Sequence, residues 1–469
     1  MALSHGLMPH LTVEKIGGTS MSRFSEVLSN VILRDPKHVY GRIYVVSAYA
    51  GVTDLLLEHK KSQKPGVYTA FASQGAYAEA LAAVKVRFFE LNASLRSLGL
   101  DVAAADRFIG ERVDGVLGYL NSTADLLASG YVSRTELLSA ARELLASIGE
   151  SHSAFNSAKV LTAKGYASSF IDLSGWGDPK ARTIDERIAL ALADVGKQQA
   201  ITFVTGYCKG TEGIMREFDR GYSEVTFSKV AVAVKASEAV IHKEFHLSSA
   251  DPKIIGPGKV VPVCNTNFDV ADQLADVGME AIHPKAAKPL ELAGIPLRVK
   301  NAFDPDHDGT LITKDYTCPD SKIEVVTGTD KVSILELFDT RMVAEVGSDY
   351  RAMQVLVDHQ ISYISKATNA NTIDLVLWDR DLHPEMISKL KRMFDVVSVM
   401  PVAIVCAIGS NIAKPGILAR ATGAMARASI NIIGVSQTAR QTNMQFTVRR
   451  EDFEKAQRAL HAELCEDPS

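Results

Sequence analysis

The feature that most limits how this chain can fold is that its last part is written twice. "VSILELF", the helical "VAEVGSDYRAMQVLVDHQ", "ISYIS" and "NTIDLVLW" are answered by "VAIVCAIG", "PGILARATGAMARAS", "INIIGVS" and "NMQFTV". The repeat recurs after about 70 residues, which predicts a duplicated small domain and excludes a solenoid of short units. Each copy reads β, α, β, β and closes on a helix, "PEMISKLKRMF" in the first and "DFEKAQRALHAEL" in the second. The first copy has one more strand after that helix, "VVSVMP", and the second has none. A spare strand-like piece, "KIEVVTG" (Lys322–Gly328), precedes the first copy. An open sheet edge is usually paired or covered, so this piece is expected to cross over and complete the second sheet.

The first three hundred residues alternate strand and helix. "LTVEKI", "GRIYVVSAYA", "QAITFVTGY", "AVIHKEF" and "IPLRVKN" are short apolar runs ending in turns. Between the first two, Phe24, Val27, Leu28, Val31 and Ile32 fall on one helical face. Thr183 with Glu186 makes a capping box before "RIALALADV". Such alternation predicts an α/β domain with a mostly parallel sheet covered on both faces. Ligands then gather beyond the carboxyl ends of the strands. The polar stretch "EHKKSQKPGVYTAFASQG" is expected to be an ordered excursion, and "TKDYTCPDSK" (Thr313–Lys322) a linker. The domains are placed at 1–314, with a linker at 315–329, and at 330–398 and 399–469, the last completed by the strand from 322–328.

With 469 residues, 46% apolar and 23% charged, the chain is an ordinary globular sequence of more than one core. No run approaches the roughly 18 apolar residues of a membrane span, and the N-terminus has no signal-peptide pattern. A cytoplasmic location without membrane contact is the expectation. A net charge of −4 without Lys/Arg clusters argues against nucleic acid. The five cysteines lack metal-ligand or disulfide spacing, so no metal site is read.

Chemistry enters with "TVEKIGGTSMS". Lys15 at a strand end is a compact positive charge able to neutralise a phosphoryl group. Gly17 and Gly18 let backbone N–H groups approach phosphate, with Ser20 or Ser22 expected to cap the following helix. The lysine precedes the glycines, the reverse of a P-loop. In "REFDRGYSEV", Arg220 suits bidentate capture of a carboxylate, with Ser223 and Glu224 beside it. The same two residues also fit a plain helix cap and a dipole partner. "VVSAYAGVTD" offers Ser47 and Thr53, "FIGERVDG" offers Glu111, and "SSADPKIIGPGK" and "AIHPKAA" are Pro-punctuated loops.

Taken in this order, the pieces resemble the aspartokinases of the amino acid kinase family. The motifs are Lys-x-Gly-Gly-Thr-Ser, "VVSAYAGVT", a Gly-Glu pair, an Arg-Gly-x-Ser-acid loop, "RVKNAFDPDHDGTLIT" and two repeats of ACT type. The resemblance implies a three-layer αβα kinase domain followed by two ferredoxin-like ACT domains. It also implies transfer of the ATP γ-phosphoryl group, with Mg²⁺, to the β-carboxylate of L-aspartate. In that scheme Lys15 and Glu224 are catalytic, and Ser47, Thr53, Glu111, Arg220 and Ser223 bind substrate. Nucleotide contacts fall to Lys15, Gly17, Gly18, Ser20, Ser249, Asp251, Lys253 and Lys285. Asn411, Pro415, Gly416 and Ile417 match the loop that shapes an effector pocket in ACT domains, which also serve as ligand-free dimerisation surfaces. A homodimer or higher homo-oligomer is implied.

Four positions depart from the family pattern. Asp219 and Tyr222 stand where a glycine is usual, Glu224 where aspartate is usual, and Glu280 where many relatives carry a lysine. The variants "KIGGTSM" and "RGYSEV" look like the aspartokinases associated with ectoine synthesis, for which feedback by lysine or threonine would be weak. Two alternatives stay open: a kinase for another amino-acid carboxylate, and an amino-acid sensor on a catalytically weak kinase body. The absence of GxGxxG argues against a fused dehydrogenase.

Overall fold

In the computed structural model, which describes residues 11–59, 62–195, 199–218, 221–279, 282–343 and 345–466, the first strands are β1 (Thr12–Ile16), β2 (Arg42–Val46), β3 (Ser168–Ile171), β4 (Ile201–Thr205), β5 (Glu238–Lys243), β6 (Asn265–Asn267), β7 (Leu297–Asn301) and β8 (Thr310–Thr313). Two compact units result. One takes the described residues up to His246 together with His283–Gly309; the other takes Leu247–Ile282 and the chain from Thr310 onward.

In the first unit the strand order is β3-β4-β2-β1-β5-β7, and these strands pair in parallel. β1 therefore has β2 on one side and β5 on the other, so the chain changes direction along the sheet there. A crevice opens at such a switch point. Burial of β1 explains its sequence: Val13, Lys15 and Ile16 are all buried, as a strand covered by helices requires. The helix Arg134–Ala163 packs on the face of the sheet that carries Phe170, and the helix Tyr222–Ala233 on the face that carries Lys15. The predicted apolar face at Phe24, Val27, Leu28, Val31 and Ile32 is buried as a unit, first as the helix Phe24–Val27 and then as a π-helical turn Leu28–Ile32. Thr183 and Glu186 form the expected capping box at the helix Ile184–Leu192. Part of the polar excursion folds as the helix Val67–Ala72, which buries Val67 and Phe71.

The second unit holds the parallel pair β6–β8 and an antiparallel sheet. Its strands are β9 (Val325–Phe338), β10 (Ser365–Thr368), β11 (Thr372–Trp378), β12 (Val396–Ile408), β13 (Ile432–Gln437) and β14 (Asn443–Arg449), in the order β10-β11-β9-β12-β14-β13. The two copies share this sheet. Val325–Gly328 pairs with Val405–Ile408 of the second copy, and Val396–Val402 pairs back onto Val332–Phe338 of the first. Ile323 and Val326 are buried in the second copy's core with Phe446 and Leu460; Leu335 and Leu337 sit in the first copy's core with Leu375 and Leu390.

Sequence reading separates "VVSVMP" from "VAIVCAIG", but the structure makes them one strand running through Pro401. Pairing with β14 begins at Val402, so at Pro401 the ladder is made on one side only, where a missing N–H is tolerated. A register irregularity follows between Val402 and Ile404. Here Gly328 passes so close to β12 that an added Cβ would lie 2.1 Å from the Ile404 carbonyl oxygen. Gly328→Ala is expected to destabilise the second unit by about 1–3 kcal/mol, seen as a lowered melting temperature; an unchanged melt would mean the strands part without cost.

Residues 247–282, placed by sequence with the kinase domain, group with the C-terminal repeats. Side-chain chemistry explains it: Thr266 donates to Glu324 at 2.7 Å, and Val326 N–H donates to the Ser249 carbonyl at 2.8 Å. The expected linker is likewise anchored. Cys318 is buried, its N–H donates to Ser410 Oγ at 2.8 Å, and its carbonyl accepts from Asn411 Nδ2 at 2.9 Å. Among the described residues no helix is long and apolar enough to cross a membrane.

Candidate active site

Lys15, the last residue but one of β1, is only 9% exposed. Its neighbour on β5 ends in Lys243, so two ammonium groups reach the crevice from adjacent strand ends. Both meet one carboxylate. Glu224 Oε1 lies 3.3 Å from Lys15 Nζ and 3.8 Å from Lys243 Nζ, while Glu224 Oε2 accepts the His283 N–H at 2.7 Å. Burial by itself would push the Glu224 carboxyl up. Lys15, then Lys243 and the His283 amide, outweigh it and hold the group at about 2. Glu224 is thus an ionised positioning group for two cations.

The backbone around Lys15 is shaped by contact. An added Cβ on Gly18 would lie 2.7 Å from the Ala48 carbonyl oxygen, so the turn after β1 packs directly on the loop after β2. Ala50 N–H donates to the Gly18 carbonyl and to Ser22 Oγ, at 3.1 and 2.8 Å. The helix Gly18–Met21 is capped by Gly17 without a side-chain bond. Ser20 and Ser22 are therefore not its N-cap, contrary to the sequence reading: Ser20 is buried and donates to Glu244 at 2.7 Å, and Ser22 ends the helix.

A second carboxylate completes the crevice. Glu150, on the helix Arg134–Ala163, is 2% exposed, and its Oε2 has no hydrogen-bond partner among the described residues. Burial pushes its carboxyl up to about 8, against the opposing pull of the Tyr222 hydroxyl, Lys15 and the Tyr207 N–H. Gly206 brings these parts together, since a Cβ there would meet Ser223 Cβ at 2.8 Å, the Val46 carbonyl at 2.8 Å and Glu150 Oε1 at 3.2 Å. Ser47 Oγ lies 3.4 Å from Ser223 Oγ, and the Ser47 carbonyl accepts from Ser153 Oγ at 2.8 Å. Lysine pair, ionised Glu224 and largely neutral Glu150 therefore face one crevice at the carboxyl ends of β1, β2, β4 and β5. Such an arrangement can hold a highly charged anion and an ammonium side by side.

Residues 10–301 match the amino acid kinase family, and residues 405–464 match an ACT domain. The chain belongs to the amino acid kinase family. Within it, this kinase stands among the aspartokinases: it is 44% identical over 466 residues to the aspartate kinase Ask_Ect of Stutzerimonas stutzeri strain A1501, covering 97% of each protein. It is 27% identical to the chloroplastic aspartokinase 1 of Arabidopsis thaliana, covering 97% of this chain and 80% of that protein. Its fold is similar to that of Escherichia coli aspartokinase III solved with lysine and aspartate, at a TM-score of 0.74 and 23% identity, covering 97% of this chain and all of that one.

For this aspartokinase the crevice brings together Lys15, Gly17, Gly18, Ser47, Ser223 and Glu224 of the residues singled out by sequence. Thr53 lies half-buried on the helix Val52–Leu56 that follows the Ala48 loop. Arg220, with Asp219, and Glu280 lie outside the described residues. Glu111 is exposed on the helix Val102–Ser129, so the chain's buried Gly-Glu pair is Gly149–Glu150. Lys285 donates to the Glu217 carbonyl at 3.2 Å and lies over Phe218.

The remaining candidates belong to the second unit. Ser249 is buried, with Oγ 2.9 Å from His461 Nε2 and accepting the Val261 N–H at 3.0 Å. Asp251 caps the short helix Pro252–Ile255, accepting from the Lys253 N–H, and both Asp251 and Lys253 are exposed. Asn411 holds the Cys318 segment, Pro415 is exposed, Gly416 takes a φ of +94° to start the helix Ile417–Arg427, and Ile417 is buried.

Sequence reasoning missed Lys243 and Glu150. Lys243 had a signal, a second lysine closing an apolar strand. Glu150 had a subtler one: it lies within the serine-rich stretch Ser147 to Ser157, of which the helix buries every residue but Phe155.

Proposed function

We infer that the chain phosphorylates the β-carboxylate of L-aspartate with the γ-phosphoryl group of ATP, giving 4-phospho-L-aspartate. The observation that carries the reading is the pair Lys15 and Lys243 held by one buried, ionised Glu224 at a strand-end crevice lined by glycine. The acceptor carboxylate has a reference pKa of ~3.9 and is already ionised at neutral pH, so no general base is required. The chain's own task is positioning and charge neutralisation. Lys15 and Lys243 face the charge that spreads over the phosphoryl oxygens. Glu224 keeps both ammonium groups in place. Glu150, in place of Glu111, receives the substrate's amino group, and Tyr222 fixes it: the ring packs edge-on against Tyr207 at 5.8 Å and the hydroxyl bonds Glu150.

Mg²⁺ enters this reading as the companion of ATP, held by phosphate oxygens, the usual manner for this ion. Among the described residues no group of three His, Cys, Asp or Glu side chains is built to cage a metal. The likeness to Ask_Ect supports the ectoine-associated branch, and with it weak inhibition by lysine or threonine.

The test is ATP consumption by the purified protein with Mg²⁺ and hydroxylamine, comparing L-aspartate, L-glutamate and N-acetylglutamate. Aspartyl hydroxamate formed with aspartate alone is the expected result. Turnover with another acceptor would reassign the substrate, and no turnover in a folded, amino-acid-binding protein would favour a sensor. Lysine and threonine at millimolar concentration are expected to leave most of the turnover intact; strong inhibition would count against the branch.

A further inference from the structure

The opposite face of the kinase sheet carries Ile16, Tyr44 and Phe203 but also a polar patch, where a doubly wound sheet normally packs apolar side chains throughout. Side chains alternate along strands, so Lys15 points to one face, whereas Thr12 and Glu14 on β1, Arg42 on β2, His242 on β5 and Lys300 on β7 share the other. They line a cavity of about 970 Å³.

The floor is an ion network. Glu14 takes Arg42 at 2.6 and 2.8 Å and His242 Nε2 at 2.7 Å, and burial, which would raise its carboxyl, is overcome by these partners so that it stays well below the usual range. That leaves His242 Nδ1, on a residue 5% exposed, with no partner among the described residues. The wall carries surplus cations. Arg298 pairs with Glu238 at 2.8 Å and Arg34 with Asp306 at 2.8 Å. Lys300 and Lys37 have no carboxylate within 4 Å among the described residues. Burial first, and then the Arg34 guanidinium, lower the Lys300 ammonium, with Asp308 offsetting part of it and Arg298 adding to it. Five Lys/Arg side chains line the cavity against three Asp/Glu, in a chain whose net charge is −4.

We propose that this cavity binds a small multivalent anion, a phosphate ester or polycarboxylate, between Lys300, Lys37 and Arg34 with His242 at its floor. An anion there supplies the charge that the half-buried Lys300 lacks and a partner for the His242 ring nitrogen; a buried cation and a buried polar atom each cost stability when left unpaired. The cavity is of the size that holds small ligands. It lies on the face of the sheet away from Lys15, so the site is separate from the catalytic crevice.

The test uses pyrophosphate as probe and calorimetry on the full-length chain. Lys15→Ala serves as background, so that binding at the catalytic lysine does not mask the result. Saturable binding is expected in that background, weakened at least about tenfold by adding Lys300→Gln and restored by Lys300→Arg, on the scale of a lost charged hydrogen bond. In the otherwise native chain, Lys300→Gln is expected to keep its kcat with ATP and aspartate, which also shows that it folds. Citrate in a second arm separates the ligand classes: competition with pyrophosphate assigns multivalent anions in general, and its absence assigns phosphate. No saturable pyrophosphate binding in the Lys15→Ala background, or equal binding with Lys300→Gln, overturns the site.

Discussion

Lys15→Ala is expected to lower kcat at least about a hundredfold, roughly 2.7 kcal/mol, the scale of one lost transition-state contact in a preorganised site. The ammonium is nearly buried and its position is fixed by Glu224 at 3.3 Å, so little rearrangement is needed when charge develops on the phosphoryl oxygens. Lys243 stays 3.8 Å from the same carboxylate and covers part of the loss, which is why some activity should remain. Lysine is a compact charge and arginine a planar fork, so Lys15→Arg should not restore the rate. Steady-state kinetics decide the role: an unchanged kcat with a raised KM for ATP would move Lys15 from transition-state to ground-state binding.

The same substitution carries a stability consequence with a defined sign. The Glu224 carboxyl is depressed from its ordinary 4.5 to about 2, so its ionised form stabilises the fold above pH 4.5. That contribution is lost as pH falls through about 2. Without Lys15 the depression shrinks, and acid unfolding should begin at higher pH. Coincident acid-unfolding curves for the two proteins would mean that Lys243 and the His283 amide hold Glu224 unaided.

What the sequence makes legible here is local and ordered along the chain. Lys15 follows from a lysine closing an apolar run ahead of two glycines, and Glu224 from an acid opening a helix. The shared sheet of the two repeats follows from counting strands against edges, since one copy had a strand to spare and the other a strand missing. Glu150 shows where such reading stops. Gly110–Glu111 and Gly149–Glu150 are both Gly-Glu pairs inside long helices, and only the packing of the second helix against β2, β3 and β4 makes one of them buried. Tyr222 illustrates the same limit from the other side. In the sequence it stands only as a departure from glycine, whereas in the fold its ring fills the space beside Tyr207 and its hydroxyl serves Glu150. The anchoring of residues 247–282 by Thr266, Glu324, Ser249 and His461 is long-range hydrogen bonding, which no local period announces.

Glu150→Gln is the second large effect. The free protein holds Glu150 largely protonated at neutral pH, because burial raises its carboxyl to about 8 and Oε2 has no partner among the described residues. An arriving ammonium supplies both the missing partner and the opposite charge, so aspartate binding should release close to one proton near pH 7. Calorimetry in buffers of different ionisation enthalpy measures that proton directly, and Glu150→Gln should abolish it. Glutamine keeps the volume and the bond to Tyr222 but not the charge. The KM for aspartate should then rise on the order of a hundredfold, within the range for losing one side of a buried charge pair, with a smaller change in kcat. In the native protein, kcat/KM for aspartate should climb with pH and level off above about 8 as the carboxyl ionises in the free enzyme. Stability should run the other way. A carboxyl raised from 4.5 to about 8 in the folded state keeps a proton that the unfolded chain has already lost, so the native protein loses stability as pH rises through that window. Glu150→Gln lacks this slope and should melt higher than the native protein at pH 8 while using aspartate worse. A variant that binds aspartate normally, or whose melting temperature falls in parallel with its activity, would show Glu150 to be a packing residue and would leave the substrate's amino group without its partner.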